Sequence, residues 1–273
     1  MGFSPCPNDT FIFYALANKL IDTGGLDFEF HIEDVETLNR MAVDRELDIS
    51  KISCHAFYYL REDYQFLGAG GALGKGCGPL VVARDPKEFF SRKPGQELKI
   101  AIPGRLTTAA LLLRLYFASF LDSQPLELII MPFDNIMHSV SKGIVDAGLI
   151  IHESRFTFPS FGLSQIIDLG EWWEKETGLP IPLGGIAAQK SLGTKTIEEI
   201  ENLIRSSINY ASSHRSEAIP YIREYAREMD EDVMFRHIGL YVNEYTRELG
   251  ANGRAALAEL MRRAAGIHCH PPA

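Results

Sequence analysis

Through the first two-thirds of the chain, short apolar or alternating runs trade places with stretches of helical spacing. Leu26-Asp27-Phe28-Glu29-Phe30-His31-Ile32 alternates strictly, which predicts a half-buried strand. Residues 47–52, 79–83, 98–102, 126–131 and 147–151 predict further strands, and 165–169 and 186–188 are shorter apolar segments of the same kind. Between them, 36–44, 56–62, 107–121 and 136–142 have helical periodicity. Asp9-Thr10 marks the start of an earlier helix whose apolar face is Phe11, Tyr14, Ala15 and Leu16, with Asp9 as its N-cap or, alternatively, a substrate contact. From about residue 195 onward the pattern is helical throughout, over 197–212, 217–228, 232–245 and 254–265.

Strands alternating with helices predict an α/β fold with helices on both faces of the sheets. A chain of 273 residues suits two lobes of roughly 100–150 residues better than one core. The Gly-flanked strands near Val81 and Ile186 are candidate crossings between lobes. They divide the chain into a larger, discontinuous lobe of residues 1–84 and 188–273 and a smaller one of 85–187.

Charge narrows the partners. The formal net charge is −9 and no basic block occurs, so a nucleic-acid partner is not expected. An anionic small molecule must be met by local donors rather than by the overall field. No apolar stretch reaches the ~18–20 residues that span a bilayer. Met1-Gly2-Phe3-Ser4-Pro5 has neither the basic nor the apolar region of a secretory signal. Cys6, Cys54, Cys77 and Cys269 are scattered without a CxxC pair, and reduced thiols in the cytoplasm are the expectation.

In open α/β sheets ligands bind beyond the carboxyl ends of the strands. Polar residues follow several predicted strands: Ser4 to Asp9, Ser53, Gly104 to Thr108, and His152 with Glu153. The topology gathers them on one edge. Thr107-Thr108 opens a helix after Pro103-Gly104, where free N–H groups suit a carboxylate and where Thr107 alternatively only caps. Ser53 is open between donating to a substrate and capping the next helix. His152 directly follows an apolar strand and can act as a general base. That position separates it from His31, His55, His138, His214 and His237, which fall within strand or helix patterns.

Other motifs fail on inspection. Phe156 stands where HExxH needs its second histidine, and the Gly68–Gly78 run matches neither a Walker loop nor GxGxxG. Those glycines predict a flexible or closely packed turn. Trp172-Trp173 is either a buried anchor or an aromatic wall. His268-Cys269-His270 is a cluster of potential metal ligands at the chain end and carries no metal expectation.

Six ordered segments resemble the 1,4-dihydroxy-6-naphthoate synthase family. They are Ser4-Pro5-Cys6-Pro7-Asn8-Asp9-Thr10-Phe11, Glu33-Asp34-Val35-Glu36-Thr37-Leu38-Asn39, Gly70-Gly71-Ala72-Leu73-Gly74, Pro103-Gly104-Arg105, Thr107-Thr108, and Ile151-His152-Glu153-Ser154-Arg155-Phe156. The opening strand is short, since only Met1-Gly2-Phe3 precede the first of them. The resemblance implies a two-lobed fold of the periplasmic-binding-protein type (type II) with a ligand cleft between the lobes. It implies conversion of cyclic dehypoxanthine futalosine to 1,4-dihydroxy-6-naphthoate in menaquinone biosynthesis, without cofactor or metal. It implies His152 as proton acceptor and Lys51, Ile52, Ser53, Thr108 and Ala109 as substrate contacts. The expected partner is therefore a small molecule carrying a carboxylate. Two rival functions share the architecture: a non-catalytic solute-binding protein, and a chorismate dehydratase of the same pathway.

Overall fold

The computed structural model of the chain describes residues 1–91, 95–120, 125–226 and 230–267. The terminal His268, Cys269 and His270 lie outside the described residues, as do the predicted helix ends at 121 and 228.

Two mixed sheets organise the chain. The first contains β1 (Gly2–Phe3), β2 (His31–Ile32), β3 (Ile49–Ser53), β4 (Tyr64–Phe66), β5 (Ala72–Gly74) and β11 (Ile181–Gln189), in the order β2-β1-β3-β11-β4 with β5 also on β11. The second contains β6 (Leu80–Ala83), β7 (Leu98–Ile102), β8 (Leu126–Ile130), β9 (Ala147–Ile150) and β10 (Ser164–Asp168), in the order β10-β6-β9-β7-β8. Around them lie α1 (Pro7–Ala17), α2 (Val35–Val43), α3 (Cys54–Leu60), α4 (Thr108–Phe120), α5 (Phe133–Ser141) and α6 (Leu169–Thr177). The C-terminal third is helical, with α7 (Thr194–Ser213), α8 (Arg215–Tyr225), α9 (Glu231–Tyr241) and α10 (Gly250–Ala265) as its main helices.

Apolar periodicity seats the helices. Ile197, Ile200, Ile204 and Ile208 form one stripe of α7 and pack with Phe3, Ile12, Phe13, Ile49 and Ile186. Fully burying each such side chain is worth about 1.5–3 kcal/mol. In β6 the pleat divides the residues: Val81 packs with Leu111 and Leu113 of α4, while Leu80 and Val82 pack with Ile136 and Val140 of α5. The second sheet is therefore covered on both faces, and its strands are apolar on both.

Several expectations are corrected. The alternating run at 26–32 forms a ladder only at His31–Ile32, because the partner strand offers only Gly2 and Phe3. The alternation is still used: Leu26, Phe28, Phe30 and Ile32 pack against the first core. Helix α1 begins at Pro7, not at Asp9. Pro7 sits at a position where a missing N–H costs nothing, and the carboxylate of Asp9, already inside the helix, is not its cap. The strands at Val81 and Ile186 each lie wholly within one sheet, so the chain passes between sheets just before each of them, at residues 75–79 and 169–180. Trp172 and Trp173 are buried on α6, a helix the polar run at 174–177 conceals in the sequence.

The closely packed reading of the Gly-rich turn holds at Gly78. A Cβ there would stand 2.3 Å from the Gly170 backbone, at the start of α6, where Asp168 caps the helix through the Gly170 and Glu171 N–H groups. Backbone cannot yield as a side chain does. Gly78→Ala is expected to destabilise the protein by about 3 kcal/mol, measured as a lowered urea midpoint with unchanged slope.

Candidate active site

The polar strand ends converge as the topology predicts. A cavity of about 660 Å³, open mouth included, is lined by Ser4 and Asp9 after β1, by Lys51 and Ser53 of β3, and by Thr108 and His152 beyond strands of the second sheet. Its walls also include Ile52, Ala109, Ile151, Leu183 and Tyr241, so a few polar groups stand in an apolar lining.

A buried ion pair underlies one wall. The ammonium of Lys51 donates to Asp9 Oδ1 at 2.7 Å and to the Gly70 carbonyl at 3.0 Å. Both side chains are almost sealed from solvent, at 6% and 3% exposure, which makes the pair costly to break. The other oxygen of Asp9 accepts from the Ser4 hydroxyl at 2.7 Å, and Asn8 Nδ2 donates to Oδ1 at 2.8 Å. Lys51 therefore lines the cavity with its charge already committed to Asp9.

His152 stands in the turn after β9 with φ +57°. This left-handed conformation is uncommon outside glycine, although histidine tolerates it better than most residues. The turn is pinned three residues on: Arg155 donates to the Gly78 carbonyl at 2.6 Å and forms an ion pair with buried Asp168, also at 2.6 Å. His152 Nδ1 lies 3.2 Å from Cys6 Sγ, and the ring tilts against Phe133 at 5.2 Å. Burial holds the His152 pKa below the ordinary imidazole value, aided by the Lys51 ammonium and opposed by the Glu153 and Asp9 carboxylates. Burial, Glu153 and Asp9 together push the Cys6 thiol well up. The protonated thiol can donate to Nδ1 or accept from it, so this contact holds the ring in place while the tautomer sets which nitrogen is basic.

Cys6, His152 and Glu153 bring potential metal-ligand atoms within 4.8 Å of one another. A soft divalent ion would need Cys6 as thiolate, against the direction in which its surroundings drive it. Glu153 is itself buried, and its Oε2 has no hydrogen-bond partner.

On the opposite wall, Ser53 is not the side-chain cap of α3. Fully buried Asn39 clamps it, donating to its Oγ at 3.1 Å and accepting from its N–H at 2.9 Å. Because Oγ accepts there, the hydroxyl keeps its proton to donate to a ligand. Thr107 caps α4, its Oγ1 accepting from Ala110 N–H at 3.2 Å. The Thr108 hydroxyl donates to the Leu183 carbonyl at 2.6 Å and accepts from His55 N–H at 3.2 Å. This side chain thus ties α4 to β11 and α3, and the helix's first amides remain its means of meeting an anion. Ile52 and Ala109 line the cavity as apolar neighbours within buried cores.

Sequence position undervalued His237. It is fully buried on α9, lines the cavity, and stacks with His152 at 6.3 Å between ring centroids. A signal was present: Met234, His237, Ile238 and Tyr241 form the helix's buried stripe, and an imidazole within an apolar stripe asks for a partner. Asn8 and Asn39 were passed over in the same way, as polar residues inside two of the resembling segments.

An α/β fold whose strand ends gather such groups around a cavity belongs with the periplasmic-binding-protein-like folds. The chain is similar to a Candida albicans protein described as having the generic periplasmic binding protein fold, with a TM-score of 0.67 at 14% identity, over 99% of this chain and 90% of that one. A crystal structure from Archaeoglobus fulgidus matches with a TM-score of 0.88 at 38% identity, covering 97% of this chain and 96% of that one. A family model described as menaquinone biosynthesis matches residues 1–266. A 1,4-dihydroxy-6-naphthoate synthase of Thermus thermophilus is 46% identical over 264 residues, which is 97% of this chain and 93% of the relative. The chain belongs to this menaquinone-biosynthesis family and is an enzyme of the naphthoate-synthase, lyase type.

Proposed function

We propose that the protein converts cyclic dehypoxanthine futalosine to 1,4-dihydroxy-6-naphthoate, with His152 as the general base. The observation that carries this reading is the His152 turn: a neutral imidazole on the cavity wall, its Nδ1 held against Cys6. The His152 imidazole takes a proton from the substrate, the carbon skeleton breaks, and the sugar-derived fragment leaves as the ring becomes aromatic. Gain of aromaticity makes a positioned base sufficient to start the reaction. The substrate carboxylate rests on the Ser53 hydroxyl and on the first amides of α4, where the helix dipole favours negative charge. The two sheets form the bases of two lobes, which close on the substrate and exclude water. The unpaired, buried Cys6, Cys54 and Cys77 support a reducing compartment, the cytoplasm. Among the described residues no helix is long and apolar enough to cross a membrane.

The lyase class sets aside the solute-binding alternative, and the synthase relatives favour this reaction over the chorismate dehydratase. Incubation with each substrate in turn, read by product mass, tests the assignment. Naphthoate from the cyclic futalosine derivative supports it, and dehydration of chorismate alone overturns it.

The base must be neutral to act, and burial lowers the His152 pKa. The log of kcat/KM is therefore expected to stay level as pH falls through about 6.5, the ordinary imidazole value, and to drop only below it. An acid limb centred at or above that value contradicts the assignment.

A further inference from the structure

The wall behind His152 contains a second imidazole that the reaction above does not use. His237 is fully buried. Its Nε2 lies 2.8 Å from Asn8 Oδ1, while its Nδ1 is buried with no hydrogen-bond partner.

The protonation pattern follows from a chain of obligatory acceptors. Asp9 pairs with the Lys51 ammonium at 2.7 Å, and a carboxylate so paired accepts and does not donate. The Asn8 group 2.8 Å from Asp9 Oδ1 must therefore be the amide NH₂. That turns the Asn8 carbonyl oxygen toward His237 and requires Nε2 of His237 to carry the hydrogen. Burial, reinforced by neighbouring His152, keeps this imidazole neutral. Only one nitrogen of a neutral imidazole holds a proton, so Nδ1 is a bare acceptor. It is fixed in that state by the ion pair three groups away.

An acceptor sealed from water and left unmet is a cost to the free protein. His237 lines the cavity, so an O–H brought against the ring as the lobes close can meet this acceptor, and a site built to accept an O–H rejects an analogue lacking it. We propose that His237 Nδ1 is a substrate contact that accepts a hydrogen bond from a ring hydroxyl of the substrate and product, with the Lys51–Asp9–Asn8 chain setting its tautomer. The identity of that hydroxyl rests on the reaction proposed above. His152 then moves the proton while His237 reads the oxygen.

Product binding tests this without turnover. Affinities of the wild type for 1,4-dihydroxy-6-naphthoate and for the naphthoate lacking both hydroxyls are measured by anaerobic calorimetry, because the hydroquinone oxidises in air. The same pair is measured for His237→Gln, which can still reach Asn8 but offers nothing at Nδ1, and for His237→Asn, which sets an amide oxygen near Nδ1. The wild type is expected to prefer the dihydroxy ligand. His237→Gln is expected to lose roughly five- to tenfold of that preference and His237→Asn to keep most of it. A purely structural histidine would weaken both ligands alike and leave their ratio unchanged. An unchanged ratio in His237→Gln, or equal affinities in the wild type, overturns this role and leaves the proposed reaction standing. A wild type that binds neither ligand overturns the reaction and this role together.

Discussion

His152→Asn is expected to lower kcat by about 10²–10⁴-fold, the usual contribution of a positioned general base, while KM changes by no more than a few fold. Two features make asparagine the informative replacement. The backbone of His152 lies in the left-handed region at φ +57°, where asparagine is at ease and alanine is strained. The turn is held from outside the ring by the Arg155–Asp168 ion pair and the Arg155 bond to Gly78. The fold and the cavity should therefore survive, and circular dichroism with a thermal melt would verify that. With the carboxylate resting, as proposed, at Ser53 and the α4 amides, binding should persist when the base is gone. The split between kcat and KM then separates a lost base from a lost pocket. A folded His152→Asn protein with wild-type turnover would remove His152 from the chemistry.

The sequence made His152 visible because its signal was local: a polar residue directly after an apolar strand, at the edge where α/β sheets bind ligands. The alternation of strands and helices was local in the same sense, and the elements are found close to where their periodicity sets them. The missed features depend on partners far along the chain. Asp9 reads as a helix cap until Lys51 is brought 2.7 Å away, and nothing within ten residues of either announces the pair. Lys51 reads as a substrate contact, yet its charge is met by Asp9 and Gly70. His237 is separated from Asn8 by 229 positions, so only the helix stripe around it hinted at burial. The short strands β4 and β5 hold only by pairing with β11, which supplies the regularity their own residues lack. Local propensity fixes elements, and the long-range pairing of polar groups fixes the site.

Asp9→Asn should have the larger effect on stability. It leaves the Lys51 ammonium buried with only the Gly70 carbonyl at 3.0 Å, and an uncompensated buried charge costs about 3–5 kcal/mol. For a chain of this size that corresponds to a melting temperature lower by roughly 5–15 °C. If the loss comes from the stranded charge and not from packing, removing the charge should restore stability. Lys51→Met combined with Asp9→Asn is therefore expected to recover most of the loss, a coupling that a double-mutant cycle measures directly. Additive losses would mean that the two side chains act as independent packing groups. The stable double variant also separates the ion pair's two roles. Without an obligatory acceptor at residue 9, the Asn8 amide is free to turn over, and His237 loses the constraint that keeps Nδ1 bare. Stability should return while the preference for the dihydroxy ligand does not, because the pair fixes a tautomer as well as a fold.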